Sequence, residues 1–154
     1  MARSEFAFHH RFRVRWSETD AQGVVFNARY LDYADVAVTE YWRAVKFRDY
    51  ADGAPLEFHV KKATVTWFAP IKPDELIDVM ARTVATGRTS MTQIVEIHGI
   101  TEDGSDDLRA TVDLVSVHVD LDTHRPIPLP HWVKDVFLNF DQQAANPAAV
   151  MADA

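Results

Sequence analysis

Apolar and polar positions alternate from residue 6 to residue 16. Phe6, Phe8, His10, Phe12, Val14 and Trp16 fall on one face; Ala7, His9, Arg11, Arg13 and Arg15 fall on the other. Period two over this length predicts a strand with one buried face. Its arginines then form a solvated face or meet a partner subunit. After Gly23 the period changes. Tyr30, Tyr33, Ala34, Ala37, Val38, Tyr41, Trp42 and Val45 recur at spacings of three and four, which predicts an amphipathic helix ending near Phe47. Asn27 can cap that helix, because its side chain accepts from exposed backbone donors. Residues 48–55, with Gly53 and Pro55, read as a loop.

Strand patterns dominate the rest. Residues 56–68, 76–86, 90–100 and 108–121 are rich in Val, Thr and other strand formers. Between the first two lies Pro70-Ile71-Lys72-Pro73-Asp74-Glu75, a turn whose prolines would break a central ladder. Gly87-Arg88 and the polar run 102–107 mark further turns. Trp132, Val133, Val136, Phe137 and Phe140 predict a short terminal helix, and 144–154 reads as a frayed tail. Strands joined by short turns favour antiparallel pairing. One amphipathic helix needs one sheet to cover it. The expected fold class is α+β: a curved antiparallel sheet of about five strands around one long helix, in a single domain over 1–141 with a tail at 142–154.

Composition narrows the setting. The length of 154 residues suits one domain. No apolar run approaches the roughly 20 residues of a membrane span, and residues 1–5 lack the apolar stretch of a signal peptide. A cytoplasmic protein is the default expectation. With no cysteine, thiol nucleophiles and cysteine metal sites are excluded. The seven histidines are scattered without ligand spacing, so no metal site is expected. A net charge of −7 argues against nucleic acid as a partner, but a local basic cluster can still hold phosphate.

The chemistry concentrates in Trp16-Ser17-Glu18-Thr19-Asp20-Ala21-Gln22-Gly23-Val24-Val25-Phe26. An ionised Asp20 can attack an acyl carbon or take a proton from water. Backbone N–H groups where the helix starts, around residues 26–28, lack intrahelical partners and favour a developing oxyanion. Gly23 lets the chain turn between the two. An aspartate before a glycine turn also serves simply as a turn former. Glu18 could pair with Asp20 or support it.

Asp20-Ala21-Gln22-Gly23-Val24-Val25-Phe26 resembles the Asp-x-x-Gly-Val-Val-aromatic segment of the 4-hydroxybenzoyl-CoA thioesterase family of hotdog folds. Phe68-Ala69-Pro70-Ile71-Lys72-Pro73-Asp74-Glu75-Leu76 is similar to that family's strand linker, and Gly87-Arg88-Thr89-Ser90 to its Gly-x-Ser turn. The likeness spans about residues 10–130. It implies a hotdog fold, and an acyl-CoA thioesterase with Asp20 as catalytic carboxylate and the backbone N–H of Asn27 on the thioester oxygen. Gly23, Val25, Phe26 and Tyr30 become candidates for contact with the substrate, and Lys61, Lys62 and Arg88 for the phosphates of CoA, with Arg125 a weaker one. No metal or redox cofactor is implied; CoA belongs to the substrate. A homodimer, or a dimer of dimers, is expected, with sites shared between chains. Two departures stand out. Glu18 replaces the usual aspartate, and Asn27 stands where many relatives carry His or Tyr. Lack of a histidine there weakens a dehydratase reading. A non-catalytic acyl-CoA or lipid binder is the other alternative.

Overall fold

The long helix forms where the 3.6-residue pattern puts it. α1 runs Arg29–Val45, and Tyr30, Tyr33, Ala34, Ala37, Tyr41 and Val45 are its buried face. It ends where Lys46 adopts a left-handed conformation, φ 61°, and its N–H bonds the Arg43 carbonyl at 3.1 Å. The computed structural model describes residues 1–54 and 56–145. It departs from the sequence reading directly after Lys46. The expected loop carries a short helix, α2 (Phe47–Ala51), because Phe47 is itself core. Its ring lies 4.6 Å from Trp42 and 5.5 Å from Phe137.

The five strands are β1 (Phe8–Arg13), β2 (Glu57–Trp67), β3 (Leu76–Thr86), β4 (Ser90–Gly99) and β5 (Leu108–Val119). All the pairings are antiparallel, in the order β1-β3-β4-β5-β2. Ile77, Val79, Ala81, Val95, Ile97, Ala110 and Val112 join the α1 face in one core. That is the hotdog arrangement: one sheet curved around one helix. A final helix, α3 (His131–Asp141), closes the core with Val133 and Phe137.

The order corrects one expectation. β2 and β3 are consecutive but do not pair; β2 lies on one edge beside β5, and β3 sits between β1 and β4. Residues 68–75 are therefore a crossover rather than a hairpin. β1 is also shorter than its alternation suggests. Phe6, Phe8 and Val14 are buried as expected, but the chain then winds into a single 3-10 turn at Trp16–Glu18. Trp16 swings out to 71% exposure, and Glu18 takes the buried place. The arginine face is solvated and paired at once: Arg11 Nε donates to buried Asp78 at 2.9 Å, while the Arg11 side chain stays half exposed. At the C-terminal end Gln142–Ala145 forms a 3-10 turn rather than frayed chain; the remainder of the expected tail, 146–154, lies outside the described residues.

β2 is unusual in its exposure. Val60 is 60% and Trp67 47% exposed, and its outer edge has no strand beside it among the described residues. An open strand edge is a template for pairing with another chain.

Candidate active site

Asp20 sits in a turn closed by its own backbone. Thr19 and Val25 form an isolated antiparallel bridge. Inside it the Asp20 N–H donates to the Val24 carbonyl at 2.9 Å, and the Gly23 N–H to the Asp20 carbonyl at 3.0 Å. Gly23 has φ +74° with open space where a Cβ would be, so glycine is needed here for conformation, not for room. The Gln22 N–H donates to Asp20 Oδ1 at 2.8 Å. Asp20 is thus a turn former, as the simpler reading held. Its Oδ2 has no protein partner among the described residues, and the side chain is only half buried. A turn role and a free carboxylate oxygen coexist.

The chain returns beside this turn as it enters α1. The Phe26 N–H donates to the Glu18 carbonyl at 3.0 Å, and the Val25 N–H to the Ile71 carbonyl at 2.8 Å. Both donors are consumed. The next two, at Asn27 and Ala28, have no acceptor among the described residues. They are orphan donors at a helix N-terminus, where the dipole favours negative charge. The Asn27 side chain does not cap: the cap position is Ala28, without a side-chain bond, and the Asn27 carbonyl accepts from the Tyr30 N–H at 3.4 Å. The helix starts too late for that side chain to reach its first donors, and Asn27 is left exposed.

Glu18 supports the turn and does not join a carboxylate pair. Its Oε1 accepts the Arg15 N–H at 2.8 Å, and its Oε2 the Arg15 guanidinium at 3.2 Å. The buried Tyr33 hydroxyl lacks a partner at strict hydrogen-bond geometry. It nevertheless stands against Glu18: burial, then the nearby carboxylate, push the phenol far above its ordinary pKa.

The other expected contacts divide. Phe26 is 49% exposed beside the turn. Val25 and Tyr30 are core residues, Tyr30 meeting Trp67 edge-on at 5.9 Å. Burial raises the Tyr30 phenol, while Arg109 opposes the shift. The basic candidates lie elsewhere. Lys61 is the extra residue of the β2 bulge and Lys62 follows it, and Arg88 is in the β3–β4 turn. Lys61 shares a cleft of about 370 Å³ with His59, Ser90, Val117 and His124, where the His59 and His124 rings stack at 5.8 Å. Trp67 stands six positions beyond Lys61 on β2, roughly 20 Å at strand rise. Within one chain these cations are not brought to Asp20. Arg125 is exposed in the loop beyond β5, its carbonyl accepting the Asp120 N–H at 3.0 Å. A larger cleft, about 930 Å³, lies between β1, the C-terminal end of α1 and α3, and holds none of these residues.

Residues 14–137, which contain this turn, the crossover and strands β2 to β5, match the model of the thioesterase-like superfamily. The chain belongs to the thioesterase-like superfamily. A relative, the acyl-CoA thioesterase YbgC of Haemophilus influenzae, is 31% identical over 135 residues, spanning 81% of this chain and 90% of that one. A thioesterase structure from Thermus thermophilus, complexed with coenzyme A and Zn, is 26% identical with a TM-score of 0.73, covering 89% of this chain and 96% of its own. A 4-hydroxybenzoyl-CoA thioesterase complexed with 4-hydroxybenzoyl CoA shares the fold, at 15% identity and a TM-score of 0.74 over 84% of this chain and 97% of its own. Membership bears out the hotdog expectation and the class of thioester hydrolase. No helix among the described residues is long and apolar enough to cross a membrane.

Proposed function

We propose that this superfamily member is a cytoplasmic acyl-CoA thioesterase, releasing a free acid and CoA. Asp20 either attacks the acyl carbon or takes a proton from the attacking water. The N–H groups of Asn27 and Ala28 receive the negative charge that develops on the thioester oxygen. The observation that carries this reading is the pairing of an acceptor-free pair of N–H groups with a carboxylate that keeps one oxygen free, on two segments joined by the Thr19–Val25 bridge. The similarity to YbgC supports CoA thioesters as substrates. Phe26, exposed beside the turn, contacts the acyl group, with Gly23, Val25 and Tyr30 shaping the wall behind it. Hydrolysis written this way needs no metal or redox cofactor.

The same reading requires two copies of the chain. Joining two sheets antiparallel at their β2 edges places the Trp67 end of one strand beside the Glu57 end of the other. The site is then shared across this edge, with Lys61, Lys62 and Arg88 as the cations offered to it. Lys and Arg suit the CoA phosphates. A dimer is the minimal form, and a dimer of dimers is compatible with it.

The alternative is an acyl-CoA binder, in which Asp20 only forms its turn; its bond to the Gln22 N–H fits that role. A panel of short, branched, aromatic and long acyl-CoAs separates the two. Continuous release of CoA thiol from at least one member is expected. Saturable binding of the panel with no thiol release would make the protein a binder.

A further inference from the structure

Arg109 belongs to none of the residue sets above, and sequence pattern gives it no role. It lies where the β4–β5 register slips: Ile97 pairs with Ala110 and His98 with Leu108, leaving Arg109 as the extra residue. A bulge of this kind re-aims a side chain. The guanidinium, 15% exposed, grips Asp107 in a fork, Nε to Oδ1 at 3.1 Å and Nη2 to Oδ2 at 2.8 Å. It also donates to Glu75 Oε1 at 2.7 Å and to the Pro70 carbonyl at 2.8 Å. The Arg109 carbonyl accepts the N–H groups of Phe68 and Ala69, at 2.8 and 3.2 Å. Gly99 lies against this group, where a Cβ would run into Asp107 and Arg109. The site is built around the arginine.

Asp107 apart, everything Arg109 holds is the β2–β3 crossover. On its other side the crossover holds the candidate active site. The Ile71 carbonyl takes the Val25 N–H at 2.8 Å, the Glu75 carbonyl takes the Val14 N–H at 2.9 Å, and the Val14 carbonyl takes the Asp74 N–H at 3.0 Å. Residues 14 and 25 bracket the Asp20 turn, and Ile71 is fully buried between. We infer that Arg109 is a positioning residue for the Asp20 turn: it fixes the crossover at Pro70 and Glu75, and the crossover fixes Val25 through the Ile71 carbonyl. A lysine cannot replace it, because a single ammonium cannot span Asp107, Glu75 and Pro70 together. The consequence for turnover rests on the thioesterase reading; the consequence for the turn does not.

The test compares full-length wild type with Arg109→Ala and Arg109→Lys, with Asp141→Ala as a control. Asp141 anchors α3 near Tyr41, in the second half of α1, so its loss destabilises the fold away from the Asp20 turn. Amide exchange at residues 20–27, under conditions where each protein stays folded, and steady-state kinetics on the best acyl-CoA are both measured. In Arg109→Ala, exchange at Val25 is expected to quicken about tenfold or more, and kcat to fall about 10²-fold with KM little changed. Arg109→Lys is expected to show both losses, and Asp141→Ala neither. Wild-type protection at Val25 in Arg109→Ala, or a kcat lowered no further than in Asp141→Ala, would overturn the inference. If wild type hydrolyses no acyl-CoA, the functional reading fails, and exchange at Val25 alone decides whether Arg109 holds the turn.

Discussion

At the scale of single residues, backbone conformation and buried charge set what the site can tolerate. Gly23→Ala forces a side chain into φ +74°, a cost of about 1–2 kcal/mol, and should shift the Asp20 carboxylate as the turn relaxes. A urea midpoint lowered only modestly, alongside a disproportionate fall in turnover, is the expected pair of results. Glu18 and Tyr33 should respond unequally. Glu18→Ala strips the acceptor from the Arg15 N–H and guanidinium, and about 1–3 kcal/mol of stability should go with it. Tyr33→Phe removes a hydroxyl without a strict partner, so a change under about 1 kcal/mol is expected. Denaturation of the two variants side by side checks this, and a larger loss in Tyr33→Phe would contradict it. Asp20 and Gly23 were legible in the sequence because their roles are local: a carboxylate, a glycine turn and a helix start within eight residues. Arg109 was not, because Glu75 and Pro70 stand 34 and 39 residues away. The misjudged cap at Asn27 has a local cause as well, since the helix begins two residues beyond it.

At the scale of elements, periodicity found α1, β1 and the terminal helix, because each has one buried face, and the Val- and Thr-rich composition found the other four strands. It missed α2, which is too short to show a period and is held by the buried Phe47 ring, with Tyr50 stacked on Trp132. It also mispaired β2 with β3, since pairing partners are chosen by long-range packing and not by chain order. The anchoring of α3 was invisible for the same reason. Asp141 is buried and accepts from the Tyr41 hydroxyl, at 2.8 Å to Oδ2, and from the Thr83 N–H at 3.0 Å. Burial raises its pKa above the ordinary carboxylate range, and the Thr83 and Tyr41 bonds only partly oppose this. The folded state therefore favours the protonated acid. Asp141 is least costly below its unfolded pKa of about 3.9, and stability is lost as pH rises through the higher folded value. Asp78 works in the opposite sense. Burial would raise it, but the guanidiniums of Arg11 and Arg3 prevail and hold it below the ordinary range. Its contribution is present at neutral pH and is lost as pH falls through the folded value. Asp141→Asn keeps an acceptor without the charge. Thermal denaturation between pH 4 and 8 should show this variant losing less stability than wild type as pH rises. An identical pH slope would contradict the assignment.

At the scale of the whole molecule, the exposed face and open edge of β2 bear directly on the proposed dimer. Val60 and Trp67 face solvent along an edge with no strand beside it among the described residues, and the proposed second copy of the chain would cover that edge. Val60→Asp combined with Ala63→Asp should yield a folded monomer by sedimentation, with KM for acyl-CoA raised far more than stability is reduced. A variant that remains dimeric with unchanged KM would remove β2 from the interface.

The central claim is that the Asp20 carboxylate performs the hydrolysis, and it is tested most directly by CoA release from the best acyl-CoA of the panel, with wild type and Asp20→Asn run side by side. Asn can still accept the Gln22 N–H, so the turn and the fold should persist. A loss in kcat of about 10²-fold or more is expected, with acyl-CoA still bound. Equal turnover by the two folded proteins would contradict the account and move the active site away from this turn.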